Sequence, residues 1–381
     1  MKILKNKLVL AALLTLIILA TFSSLPATET RVGSMGGIGL YTHDNSNIFF
    51  FPGAIYTYAG QVVGELRVKG NDNSYSIGVH YPLNNYSVLG VYLNRPINVF
   101  VPAGIADSVQ LNHTTDIFYG RQMADYDLGI RLAIGLDSYK EDLGTTDDKQ
   151  SARYIGLGAG LSNERMDLGL LFELPHAKRE IADSSNTWSG FGFGLNARMF
   201  SGEATKLVPL GTFYYASATT KIDRVAPPVA KVNYKRMDVG LGIGLNHQLN
   251  EQNLLVIGLE AIGLTSLKTD VDDGPESTDQ SFTFPGLYMG VESEIKPWLT
   301  GRLGAAQVYQ SRTLKFKPAG GTETKSTSRS SQFNVSFGLG FNFGDFVLDA
   351  AINEGLFFDG PNFISGGTNP MANRLSLTYN F

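Results

Sequence analysis

Phe333-Asn334-Val335-Ser336-Phe337-Gly338-Leu339-Gly340-Phe341-Asn342-Phe343 places an apolar side chain at every second position, with Asn, Ser or Gly between. That period of two belongs to a β-strand with one apolar face. The pattern recurs. Met237, Val239, Leu241, Ile243 and Leu245 alternate with Arg236, Asp238, Gly240, Gly242, Gly244 and Asn246. Tyr126 to Leu136 alternates against Asp127, Gly129, Arg131, Ala133, Gly135 and Asp137. The chain closes on Leu375, Leu377, Tyr379 and Phe381 set against Arg374, Ser376, Thr378 and Asn380.

Sandwich strands of soluble proteins usually run about five or six residues. Alternation here persists for about ten residues or more, with Gly, Asn, Ser, Asp and Arg on the second face, the signature of a transmembrane barrel. Backbone groups in lipid must all be paired, so such a sheet has to close. Short connections at Asn84-Asn85, Ser201–Ala204, Lys296-Pro297 and Gly344-Asp345 alternate with long ones at 95–113, 139–150, 175–187, 222–231, 269–279, 316–328 and 355–371. Long outer loops and short periplasmic turns are the barrel arrangement. The expected fold is all-β: a transmembrane antiparallel β-barrel of 14–16 strands, its first strand near residue 56, over residues 56–381, with an N-terminal hatch segment over 28–55.

Composition agrees. Glycine is 43 of 381 residues, about 11% against an average near 7%, and charged residues are 17% against about 25%. Aromatics reach 11%, which argues against disorder. The one long apolar run is N-terminal, which excludes a polytopic helical membrane protein. Absence of cysteine excludes disulfides, thiolate metal sites and cysteine nucleophiles. A net charge of −4 without a basic block excludes nucleic acid as a partner. Residues 1–27 read as a secretory signal: Lys2, Lys5 and Lys7, an apolar run from Leu8 to Phe22, then Ser23, Ser24, Pro26 and Ala27.

Residues 31–55 do not alternate; Met35-Gly36-Gly37, Asp44 and Pro52 punctuate a glycine-rich stretch that reads as a periplasmic tail or as a hatch in the lumen. This stretch resembles the start of mature FadL/TodX-type outer-membrane transporters and the related PorV-like barrels, in which a Met-Gly-Gly turn precedes an Asp and a Phe-x-Asn-Pro-Ala-Gly-like element. Met35, Gly36, Gly37, Asp44 and Pro52 match, whereas Phe51 stands for the usual Asn and Gly53 for the usual Ala. The resemblance implies an N-terminal hatch and either uptake of hydrophobic compounds or service in protein export.

The polar strand faces place Arg131, Arg153, Arg198, Arg236, Arg302 and Arg374 in the lumen, with Asp127, Asp137, Asp167, Glu173, Asp238, Glu260, Glu292 and Asp349. Roughly balanced signs point to mutual pairing rather than to a selectivity ring. Val99, Phe100, Val101 and Ile105 form an apolar connection, either packed on the mouth or offered as a landing surface. Pro209 and Pro285 lie within strands and mark an edge or a bulge, either a tolerated bulge near the rim or a kink that opens a lateral exit toward lipid. His43, His80, His113, His176 and His247 are scattered, and neither HExxH nor GxSxG occurs, so no enzyme and no cofactor or metal is expected. The expected setting is the bacterial outer membrane, with lipid and lipopolysaccharide around the barrel. The strand ending in Phe381 resembles the signal read by the barrel assembly machinery. The function expected is passive uptake of small hydrophobic compounds, with a PorV-like export component and a general porin as alternatives.

Overall fold

A computed structural model describes residues 28–69, 72–97, 113–142, 144, 146–181, 184–223, 230–354 and 371–381. The expected signal at 1–27 and the loop residues Val99, Phe100, Val101 and Ile105 lie outside the described residues.

The chain begins with a helix, α1 (Glu29–Ser34), and three 3₁₀ turns, Ile38–Tyr41, Asn45–Phe49 and Pro52–Tyr58. Strands follow: β1 (Gln61–Lys69), β2 (Asp72–Asn84), β3 (Ser87–Pro96), β4 (His113–Met123), β5 (Tyr126–Asp142), β6 (Asp147–Ser162), β7 (Met166–Ile181) and β8 (Ser184–Met199). The second half comprises β9 (Thr205–Asp223), β10 (Ala230–Asn250), β11 (Asn253–Val271), β12 (Glu276–Lys296), β13 (Leu299–Lys317), β14 (Thr324–Phe343), β15 (Phe346–Ile352) and β16 (Ala372–Asn380). Each strand pairs antiparallel with its sequence neighbours, and β1 also pairs with β16, closing a barrel. The count is sixteen.

Alternation decides what faces where. On β5, Gly129, Arg131, Ala133 and Gly135 are buried while Leu128, Ile130, Ile134 and Leu136 are exposed on the outside. The same outward face carries Leu157, Leu170, Phe193, Leu241, Ile257, Leu287 and Leu303 around the wall. Closure leaves no unpaired strand edge within this apolar belt, as lipid requires. Among the described residues no helix is long and apolar enough to cross a membrane, which says nothing of strands.

Several expectations need correction. The strands are longer than the apolar alternation suggests: β11 and β12 absorb much of 269–279, and β13 and β14 much of 316–328. Beyond the belt water replaces lipid, so the outward face no longer has to be apolar, yet backbone pairing continues. The first strand starts at Gln61 rather than 56, because Pro52–Tyr58 winds as a 3₁₀ turn. Arg153 faces outward, opposite Leu136 and next to the exposed Ile155, not into the lumen. Pro209 makes no bulge: it stays in register with Ile243. The neighbouring Leu207 N–H points to the β8 side, so the missing Pro209 donor falls where that ladder has already ended, at Arg198 and Leu210. Pro285 does sit at a register shift, between Thr283 and Gly286.

Candidate functional site in the barrel lumen

Residues 28–60 lie inside the barrel. Helix α1 touches β13 to β16, the first 3₁₀ turn touches β9 to β12, and the third touches β3 to β7, so the segment meets most of the wall's circumference. Met35, Ile38, Ile48, Phe51 and Ile55 are essentially inaccessible.

The lumenal glycines make room for it. A Cβ at Gly169 would collide with the Phe50 carbonyl, one at Gly129 with Pro52, and one at Gly304 with Gly36. Glycines at 242, 244 and 258 accommodate the Tyr41 ring. Gly36 and Gly37 have φ of +77° and +78°, the left-handed conformation that glycine adopts without steric cost. Thus Met35, Gly36, Gly37 and Pro52 come together with the wall, Pro52 resting against Gly129, Gly158 and Gly160.

Charged groups fasten the segment at several levels. Arg31 donates through Nε and Nη2 to both Glu292 oxygens at 2.7 and 2.8 Å. Arg302 donates to the same Glu292 at 2.6 Å and to Asp349 at 2.6 Å. Thr28, the N-cap of α1, donates its hydroxyl to Asp349 at 3.2 Å and accepts from Ser376 at 2.7 Å. A second cluster surrounds Glu29, which accepts from Arg67 at 2.9 Å and Arg95 at 2.8 Å, with Arg374 at 3.6 Å. Burial alone would raise the Glu29 carboxyl, but these guanidinium groups hold it down at about 2.

Arg198 is the third. Its Nε donates to Asp167 at 2.8 Å, while its remaining donors reach the Leu40 carbonyl at 2.9 Å, the Thr42 carbonyl at 2.7 Å and Asn47 Oδ1 at 2.8 Å. A lumenal arginine thereby satisfies carbonyls that a non-helical segment would otherwise bury unpaired. Arg131 donates to Asp116 at 2.6 Å and lies 5.3 Å from the Phe49 ring centroid, with Arg95 at 3.4 Å from the same ring.

Arg236, Asp238, Asp127 and Glu260 stand apart from these clusters. Arg236 pairs within its own strand with Asp238 at 2.8 Å. Glu260 accepts from Tyr288 at 2.9 Å, and Asp127 is half-buried. Arg67, Arg95, Glu65 and Asp116 escaped the sequence reading. Arg95 follows a register shift between Tyr92 and Arg95 that breaks the alternation, and short β1 offered too few residues to fix its facing.

Asp44 is fully buried, caps the second 3₁₀ turn through Ser46 N–H at 2.9 Å, and keeps Oδ2 without a hydrogen-bond partner, 3.7 Å from Arg31. Burial pushes its carboxyl up to about 6 despite Arg31. Burial, helped by Arg198, pushes neighbouring His43 down to about 4, and its ring stacks on Phe200 at 3.9 Å. His80 is buried between the Tyr58 carbonyl and the Tyr92 hydroxyl.

On the β7–β8 wall the pairing is interrupted. Glu173 pairs with Gly192 and His176 with Ser189, while Leu174 and Pro175 have no partners on β8. Proline has no N–H to offer the ladder. Beside the gap is a water-sized cavity of about 10 Å³ lined by Glu173, Pro175, Trp188, Phe191 and Tyr214 among others. Tyr214 donates to Glu173 at 2.8 Å, and Trp188 is fully buried with its indole N–H unpartnered.

No protein-family model matches the chain, and no curated protein does. Among solved structures it is similar to the Pseudomonas putida toluene transporter TodX, at 11% identity over 94% of this chain and 99% of that one, with a TM-score of 0.39. The CymD monoaromatic hydrocarbon channel gives 10% identity over 95% and 99%, with a TM-score of 0.39. The translocator domain of the Neisseria meningitidis autotransporter NalP gives 12% identity over 68% and 90%, with a TM-score of 0.30. TodX is of the type that the Met35-Gly36-Gly37 stretch resembles, and at these identities and scores the likeness reaches no further than barrel architecture.

Proposed function

We propose that this protein is an outer-membrane transporter admitting small hydrophobic compounds passively, with residues 28–60 as its plug. The observation that carries the reading is the pairing of a filled lumen with an interrupted wall. The plug occupies the lumen on a glycine surface moulded to it, which speaks against a general porin with an open aqueous channel. Where the β7–β8 ladder lapses at Pro175 the wall has fewest cross-strand bonds, and we assign to this point, beside Trp188 and Phe191, the exit of an apolar solute toward lipid. Side chains with an aromatic body and few polar groups suit such a solute. No chemistry is assigned to the histidines, since His43 and His80 are spent on packing and internal hydrogen bonds. The strand ending in Phe381 seals the barrel, its N–H bonded to the Gly60 carbonyl at 2.9 Å, and we assign it the assembly signal.

The test is accumulation of a radiolabelled monoaromatic hydrocarbon by cells with and without the protein. Faster uptake in expressing cells supports transport, and equal rates overturn it. The filled lumen also fits a PorV-like export component. That reading requires a soluble partner that co-purifies with the barrel while uptake stays at the background rate.

A further inference from the structure

The register of the tall strands β5 to β14 sorts the outward face into layers. Where the apolar belt ends, the next outward residues are hydroxyl or amide side chains or a base, and acids come later. On β6 the order outward from the belt is Ile155, Arg153, Ser151, Lys149, Asp147; on β7 it is Leu174, His176, Lys178, Glu180. On β10 it is Met237, Lys235; on β11 Leu264, Ser266, Lys268, Asp270; on β14 Phe333, Ser331, Arg329, Thr327, Lys325. Strands β5, β9 and β13 follow suit with Lys140, Lys221 and Lys315, and β12 departs, its first outward charge being Glu276. At about 3.4 Å per residue, Arg153, Lys178, Lys235, Lys268 and Arg329 stand roughly 7–14 Å along their strands beyond the last apolar side chain.

This layer carries repulsion that the barrel relieves only in part, by pairing Lys140 and Lys149 with Asp147, Lys178 with Glu180, Lys231 with Asp272 and Lys268 with Glu276. Lys235 lies directly opposite Lys268, Lys315 opposite Lys325, and Lys221 opposite Lys231. Like charges opposite one another in a sheet destabilise it. Lys268 has Glu276 at 2.8 Å, but Arg153, Lys235, Lys315, Lys325 and Arg329 have no carboxylate within ion-pair distance among the described residues. The other end of the barrel is different. There the outward face presents Tyr81, Tyr86, Tyr126, Trp298, Phe343, Phe346 and Phe381, with Arg121 and His247.

We propose that the basic layer at the loop end binds the phosphates of lipid A, the phosphorylated glycolipid anchor of the outer leaflet. Resting on the outer-membrane reading above, the proposal supplies the anion that Lys235, Lys315 and Arg329 lack among the described residues. An anionic phospholipid common to both leaflets would ask for bases at both ends, whereas the structure concentrates them at one. Long basic side chains bury their stems along the belt and keep the charge at the headgroup level.

The test is titration of the purified full-length barrel in detergent with bisphosphorylated lipid A, followed by native mass spectrometry. Matched titrations use dephosphorylated lipid A and cardiolipin. The variant carries Arg153→Gln, Lys235→Gln, Lys268→Gln and Arg329→Gln together. Wild type is expected to bind bisphosphorylated lipid A about 1,000-fold more tightly than the variant does. It should also bind it more tightly than either comparison lipid. A Lys235→Arg, Lys268→Arg barrel should bind as wild type, and heat-modifiable migration reports that each variant is folded. Equal binding by the glutamine variant, or equal binding of cardiolipin or dephosphorylated lipid A, overturns the proposal. Density-gradient fractionation of cells making the wild type tests the outer-membrane reading separately, because the detergent titration does not depend on location.

Discussion

Arg31 in the lumenal helix and Glu292 on the wall form a two-point ion pair, 2.7 and 2.8 Å long, across 261 positions of sequence. Glu292 is shared with Arg302, which is itself tied to Asp349 and through it to Thr28. The plug is therefore fastened by a charge chain that requires every member, since loss of one buried partner strands the others.

Replacing Arg31 with Gln should loosen the plug by about 3–5 kcal/mol, the usual effect of breaking a buried pair, while the wall stays closed by its own hydrogen bonds. The chain has no cysteine, so Ser34→Cys, a near-isosteric change at a fully buried position, reports on seating. Maleimide labelling of that cysteine should accelerate in the Arg31→Gln background with heat-modifiable migration retained. Labelling at the parental rate would show that the pair does not hold the plug.

Gly169→Ala places a methyl group against the Phe50 carbonyl. Overpacking of this kind costs about 1–3 kcal/mol. The cost should vanish once residues 31–54 are deleted, because the colliding carbonyl leaves with them. Denaturation midpoints of the four proteins in this cycle check it, and an equal loss in both backgrounds would place the strain in the wall instead.

Deleting 31–54 should raise single-channel conductance in planar bilayers, because it removes the side chains and clamps that fill the lumen. A conductance unchanged from wild type would mean that other parts of the chain close the channel.

Asp44 gives the plug a pH dependence of defined sign. Its carboxyl is raised from 3.8 to about 6, so the seated plug binds the proton more tightly than the released one. The stabilisation is complete below about pH 3.8 and is lost as pH rises through about 6, with a full amplitude on the order of 3 kcal/mol. His43 acts oppositely: lowered from 6.5 to about 4, it favours seating above 6.5 and loses that contribution as pH falls through 4. The ratio of Ser34→Cys labelling between wild type and Asp44→Asn cancels the histidine. That ratio should climb between pH 4 and 7. A flat ratio would remove Asp44 from the account.

Much of the wall was legible residue by residue. Phe333 to Phe343 alternates because each apolar side chain faces outward and each Gly or polar one faces in, and hydrophobic periodicity is a local property. Met35, Gly36, Gly37 and Pro52 stood out because a break in alternation is local too. Arg153 was misplaced for the complementary reason: beyond the belt an outward residue is solvated, so polarity no longer distinguishes the two faces.

The clamps were a different matter. Alternation places Arg131 and Arg198 in the lumen, but that Arg198 serves four groups of the plug while Arg236, among the described residues, pairs within its own strand follows from distances between residues far apart in sequence. The lapse beside Pro175 and the row joining Lys235, Lys268, Lys315 and Lys325 likewise depend on which residue stands opposite which. The sequence by itself determined an all-β barrel and a distinct glycine-rich segment before it, because strand period and backbone permissiveness are written in neighbouring residues. Only the tertiary structure decided sixteen strands, the seating of that segment and the choice of charge partners. Register and closure bring together residues hundreds of positions apart, and burial then sets what each charge must find.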